Sequence, residues 1–158
     1  MFTEMRRSDK AKPAQEAERI LAEALWGTLA LTLDDGYPYS VPISHIYREG
    51  CIYFHSATAG QKYVALLGDP KVCFSAVEES ATRALPGRFS MAYASAIAFG
   101  QVSLVEGESE MIRILELITE KYDPAATPES TAAYIKAHLD RCCVFKITVE
   151  HLTGKGFA

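Results

Sequence analysis

The chain is 158 residues long, 49% hydrophobic and 23% charged, with a formal net charge of −4. That length suits one domain, residues 1–158, able to bury a proper core, and the composition is that of an ordinary globular protein. The acidic, well-mixed charge argues against a nucleic-acid partner, and no apolar run approaches the roughly 20 residues that span a bilayer. The opening residues, Met1-Phe2-Thr3-Glu4-Met5-Arg6-Arg7, lack the apolar centre of a secretion signal, so a cytoplasmic protein is expected. Cys51, Cys73, Cys142 and Cys143 fit neither a zinc knuckle nor a disulfide framework and read as reduced thiols.

The first element is a helix over residues 13–25, with Ala17, Ile20, Leu21, Ala24 and Leu25 on one face and Pro13 in its first turn. Residues 28–33 are rich in β-formers and end in the turn signal Asp34-Asp35-Gly36. A second strand covers residues 39–47; Pro38 and Pro42 cannot donate to a ladder, so it has an edge or an irregular opening there. Arg48-Glu49-Gly50 turns the chain into a third strand at 51–55, and the three segments read as an antiparallel meander. A short helix follows at 61–67, then a strand at 71–77 and an aperiodic loop at 78–88. Residues 91–106 form a long strand with Gly100 as a bulge. Met111, Ile114, Leu115 and Ile118 mark a helix over 108–121. Thr127-Pro128-Glu129 caps another that reaches 139. The last strand is 143–149, and the tail from His151 reads as irregular. The expected fold class is therefore mainly β with α: six antiparallel strands in a small barrel, with helices attached.

The search for chemistry begins with what is missing. The histidines His45, His55, His138 and His151 show no helical ligand spacing. An even turn between their strands sends His45 and His55 to opposite faces; only an odd one brings them to the same side, where they could share a metal. Ser44 beside His45 and Ser56 beside His55 are strand neighbours that face opposite ways, so neither histidine reaches its serine as a base. What remains is the run from Ser56 to Lys62. A strand passes through small residues into a helix start with an early lysine, and free N–H groups there can hold a phosphate. Ser56, Thr58 and Gln61 add hydrogen bonds and Lys62 adds a charge. The same arrangement also occurs without any ligand. By default Val41, Ile43 and Tyr53 are barrel core, and His55 is a strand-end histidine satisfied by backbone.

Read in order, Asp35-Gly36-Tyr37-Pro38-Tyr39-Ser40-Val41-Pro42-Ile43-Ser44, Ile52-Tyr53-Phe54-His55-Ser56-Ala57 and Gly60-Gln61-Lys62 resemble the flavin-binding split-barrel proteins related to pyridoxamine 5′-phosphate oxidase. The likeness is greatest to their nitroimidazole-resistance branch. Asp69-Pro70-Lys71, Ala96-Ile97-Ala98-Phe99-Gly100 and Glu120-Lys121-Tyr122 continue it; residues 78–88 and the stretch around 127–140 do not. The resemblance implies a six-stranded antiparallel split barrel that forms a homodimer with FMN at the subunit interface. It places His55, Ser56 and Lys62 at the phosphate and ribityl end, and Val41, Pro42, Ile43 and Ser44 along the flavin ring. Tyr93 and Ser95 are expected to reach the cofactor from the partner subunit, and His55 is the candidate catalytic residue. The implied activity is an FMN-dependent oxidoreductase that reduces small nitroaromatic or quinone-like molecules with a nicotinamide electron donor. The alternative is a dimeric barrel that binds flavin, haem or another small ligand without turnover. The basic cluster that binds the phosphorylated substrate of the oxidases has no counterpart, which argues against vitamin B6 oxidation.

Overall fold

A computed structural model describes residues 2–87 and 90–157. Its strands lie where apolar residues alternate. In chain order the elements are β1 (Ala11–Lys12), α1 (Ala14–Glu23), β2 (Gly27–Thr32), β3 (Pro38–Ile43), β4 (Ile46–Arg48), β5 (Cys51–Ala57), α2 (Gln61–Gly68) and β6 (Lys71–Val77). They continue with β7 (Arg83–Ala84), β8 (Met91–Leu104), α3 (Glu108–Tyr122), α4 (Pro128–His138) and β9 (Cys142–Phe157). Thr127 caps α4 as expected, its side chain accepting the Ser130 N–H at 3.2 Å, with Pro128 in the first turn.

All strand pairs are antiparallel, in the order β3-β2-β6-β8-β9-β5-β4, with β1 added to β9 and β7 to β8. Nine strands are described rather than the six expected. The second predicted strand is interrupted at Ser44 and His45, giving β3 and β4, and two two-residue strands are added. The interruption also undoes the simple meander: β3 pairs with β2 at one end of the sheet, whereas β4 pairs with β5 at the other. Yet Ile43 and Ile46 are three residues apart, so the two ends of the sheet lie within about 11 Å. The sheet must therefore roll round on itself. Among the described residues no ladder joins β3 to β4, so the roll stays open at this seam.

The tail is the second correction. Residues 151–157 continue β9, pairing Tyr93↔Phe157, Ser95↔Lys155 and Ile97↔Thr153 across to β8. A strand as long as β8 needs a partner for its first half, and the alternation that marks a half-buried strand is blurred there by Gly154 and Gly156. In the region read as a loop, residues 79–81 form a 3-10 turn and β7 pairs with β8; Arg88 lies outside the described residues.

The main core joins Leu29, Ile52, Phe54, Phe74, Phe145 and Ile147 to Ala17, Ile20 and Leu21 of α1. Leu25, expected on that face, is 57% exposed because the helix stops at Glu23 and the next residues leave its periodicity. A smaller cluster, Ile46, Val144, Ile114 and Ile118, fastens α3 to the outside of β4 and β9. No helix among the described residues is long and apolar enough to cross a membrane.

The bulge falls where the glycine predicted it, with the β8–β9 register shifting between Phe99 and Gly100. A Cβ on Gly100 would run into the Thr148 backbone carbonyl, which cannot swing away as a side chain tip can. Gly100→Ala is therefore expected to lower unfolding stability by about 1–3 kcal/mol, measured as the urea midpoint at unchanged m-value.

Candidate functional site

The β5–α2 connection has the geometry of an anion cradle. Gly60 precedes the helix with φ 101°, a conformation that side-chain-bearing residues rarely adopt, and nothing lies within 4 Å of where its Cβ would be. No side chain caps α2, so the first N–H groups of its opening turn have no cap partner. Lys62 stands in that turn, half-buried; burial holds its ammonium below the ordinary lysine range, and its Nζ sits 5.8 Å from the Phe54 ring centroid. Among the described residues it forms no ion pair with a carboxylate. A partly desolvated cation at an uncapped helix start is a fitting arrangement for a phosphate, the anionic part common to flavin nucleotides.

His55 and Ser56 face opposite ways, as strand neighbours must: Ser56 is 7% exposed and points inward, while His55 lies on the outer face. Partial desolvation, then the Lys62 charge, holds His55 below the ordinary histidine range. Ile46↔Tyr53 and Tyr47↔Ile52 fix an odd-sum register between β4 and β5. Just before that ladder His45 is fully buried, whereas His55 on β5 is exposed. Among the described residues no group of three or more His, Cys, Asp or Glu could hold a metal.

His55, Ser56 and Ala57 form one wall of a cavity of about 370 Å³. The opposite wall comes from Leu115, Ile118 and Thr119 on α3 and from Tyr134, Ile135 and His138 on α4. The Tyr134 and His138 rings stack at 4.3 Å, and His138 Nδ1 donates to the Tyr134 carbonyl at 2.8 Å. The interior is mainly apolar, and Arg141 at its edge already meets Asp140 at 3.7 Å. An ionised guest would lose water there without a buried counter-charge, so the chamber suits a small, flat, uncharged molecule.

On β3, Val41 and Ile43 turn towards the main core, whereas Pro42 and Ser44 are exposed. What this segment can offer a ligand is therefore Pro42, Ser44 and the outer backbone edge of β3, which pairs on one side with β2 alone. Tyr93 and Ser95 lie elsewhere. His55 is level with Val144 on β9, and Ser95 is level with Lys155, whose carbonyl accepts from Ser95 Oγ at 3.4 Å. Eleven residues of strand separate the two levels, on the order of 30 Å, so one chain does not unite them. Sequence reading missed the helical wall. The apolar face of α3 was legible, but only the return of α3 and α4 over β5 shows that it lines a chamber.

The profile of the pyridoxamine 5′-phosphate oxidase family matches residues 13–156. No curated protein matches the chain. Among solved structures, a candidate 5-nitroimidazole antibiotic resistance protein from Bacteroides thetaiotaomicron is similar at 26% identity and TM-score 0.77, over 92% of this chain and 85% of that one. A conserved hypothetical protein from Mycobacterium tuberculosis superposes with TM-score 0.80 at 19% identity, over 97% and 90%. An FAD and haem binding protein from Mycobacterium smegmatis does so with TM-score 0.72 at 18% identity, over 93% and 73%.

Proposed function

The chain belongs to the pyridoxamine 5′-phosphate oxidase family, and from that premise we propose that it is an FMN-dependent oxidoreductase acting on small, uncharged aromatic compounds of the nitroaromatic or quinone type. One observation carries the reading: a desolvated lysine without a carboxylate partner among the described residues, at an uncapped helix start, adjoins a histidine that opens into an apolar chamber. The family and the nitroimidazole-resistance description of one similar structure support it.

In this reading Lys62 and the α2 amides bind the FMN phosphate, and the free edge of β3 at Pro42 and Ser44 orients the ring. Val41 and Ile43 back that edge from the core. The apolar residues of α3 and α4 shield the ring's neighbourhood from water in part, and His55 in the cavity wall offers a proton-carrying group. The flavin, when bound, supplies electron and hydride transfer. A nicotinamide donor reduces it. Two copies of the chain form the site, because Tyr93 and Ser95 can join it only from a second copy.

The test is the absorption spectrum of freshly purified protein, followed by FMN titration. Flavin bands, or saturable uptake of one FMN per chain, are the expected result. Colourless protein that takes up no FMN overturns the proposal. A second reading, a flavin or haem carrier without turnover, is favoured by the FAD and haem binding of the M. smegmatis neighbour. Reduction of a nitroimidazole with a nicotinamide donor separates the two, since a carrier gives no rate above that of free FMN.

A further inference from the structure

The motif Lys121-Tyr122 has no part in the site described so far, yet it sits at the seam where the sheet opens. Lys121, at the end of α3, directs its Nζ to the Ala24 carbonyl at 2.7 Å and to the His45 carbonyl at 2.9 Å. The Tyr122 hydroxyl accepts the His45 N–H at 2.8 Å and lies within donating distance of the carbonyls of Leu25, at 2.5 Å, and His45, at 2.8 Å. His45 itself bonds through Nε2 to the Leu21 carbonyl at 2.7 Å. Both peptide groups of His45 are thereby satisfied by side chains of α3 rather than by a neighbouring strand. This is how β3 can stop and β4 begin without orphaned backbone. His45 Nε2 thereby satisfies Leu21, one of the last carbonyls of α1, which a helix leaves without partners, while Lys121 and Tyr122 meet the carbonyls of Ala24 and Leu25 just past the helix end.

The arrangement is a costly one for a purely structural joint. Lys121 is half-buried, and that burial lowers its pKa to about 8. Among the described residues it meets no carboxylate. His45 Nδ1 is buried with no hydrogen-bond partner, and its ring lies edge-on to Phe74 at 4.7 Å. Apolar residues of similar size could join α1 to α3 without desolvating an ammonium. What they could not do is grip a peptide N–H and C=O and so fix the backbone at the seam.

We infer that Lys121 and Tyr122 are positioning residues: from the end of α3 they hold the backbone of the Ser44–His45 break, so that the outer edge of β3 stays free for a flavin ring. The inference rests on the flavin reading above, because the edge they hold is the one proposed to orient the ring. They touch no cofactor or substrate, so their effect on binding is exerted through the backbone of residues 43–46.

The test compares wild-type protein with Lys121→Met and Tyr122→Phe by FMN titration, visible circular dichroism of the bound flavin, thermal unfolding and amide hydrogen exchange over residues 43–47. Lys121→Met is expected to weaken FMN binding about tenfold and Tyr122→Phe about three- to tenfold. The flavin dichroism should fall and exchange over residues 43–47 should quicken more than exchange elsewhere, with only a small fall in melting temperature from the backbone bonds lost. FMN affinity and seam exchange unchanged in both variants would overturn the inference. Loss of affinity only in step with a global fall in melting temperature would overturn it too, because that is the mark of a merely structural contact. Wild-type protein that takes up no FMN overturns the flavin reading itself; seam exchange in the two variants then decides alone whether the pair holds the break.

Discussion

Lys62→Ala is expected to weaken FMN binding roughly ten- to a hundredfold, the loss of about 1.5–3 kcal/mol that accompanies removal of one charge-assisted hydrogen bond. The size follows from position. The ammonium stands in the first turn of α2, where the unpaired N–H groups already favour an anion, and it has been partly withdrawn from water. Bringing a phosphate to it restores the partner that burial removed. The same reasoning sets the control. Removing a desolvated cation leaves no orphan behind, so the melting temperature without FMN should hold or rise while affinity falls. Equilibrium titration by flavin fluorescence gives the first quantity and thermal unfolding the second. Affinity that is indifferent to this residue would remove the phosphate from the α2 terminus.

Acid should unfold the protein earlier than its carboxylates alone would require. Burial, assisted by the Lys121 charge, lowers the His45 pKa from 6.5 to about 4, so the folded protein keeps this ring neutral where the unfolded chain protonates it. The unfolded state therefore binds more protons between these two values, and stability falls as pH drops from about 6.5 towards 4. For a fully buried ring the full loss is about 3 kcal/mol. His55, also held low, acts in the same direction. Comparison with His45→Met isolates the buried residue: urea midpoints measured between pH 7 and 4.5 should fall less steeply in the variant. Carboxylates such as Glu16 and Glu78, lowered by their hydrogen bonds to Arg19, add their own loss only at the acid end of this range. Equal slopes in variant and wild type would show that the His45 ring is not kept neutral by the fold.

Both predictions concern residues whose meaning was unequally visible in the chain. The passage from β5 through a small-residue loop into the helix start that carries Lys62 could be read directly, because it is built from consecutive residues and local backbone geometry. Gly100 was legible for the same reason: a glycine inside an apolar strand marks a bulge whichever strand lies beside it. His45 was not legible beyond its face. Parity placed it opposite to His55 only if the turn between them was even, and its hydrogen bonds come from residues more than 20 positions away in α1 and more than 70 away in α3.

The sequence by itself determined the helices, most of the strands, the strand–loop–helix passage that carries Lys62 and the family. These depend on periods of 2 and 3.6 residues and on short ordered motifs. Only the tertiary structure decided that the second strand breaks into β3 and β4 and that the tail prolongs β9. It alone turned Val41 and Ile43 into the core, set Tyr93 and Ser95 far from His55, and folded α3 and α4 into a chamber wall. The reason is common to all of these: strand partners and cavity walls are chosen by long-range burial and by the demand that every backbone group find a partner, and neither is written in any one stretch of chain.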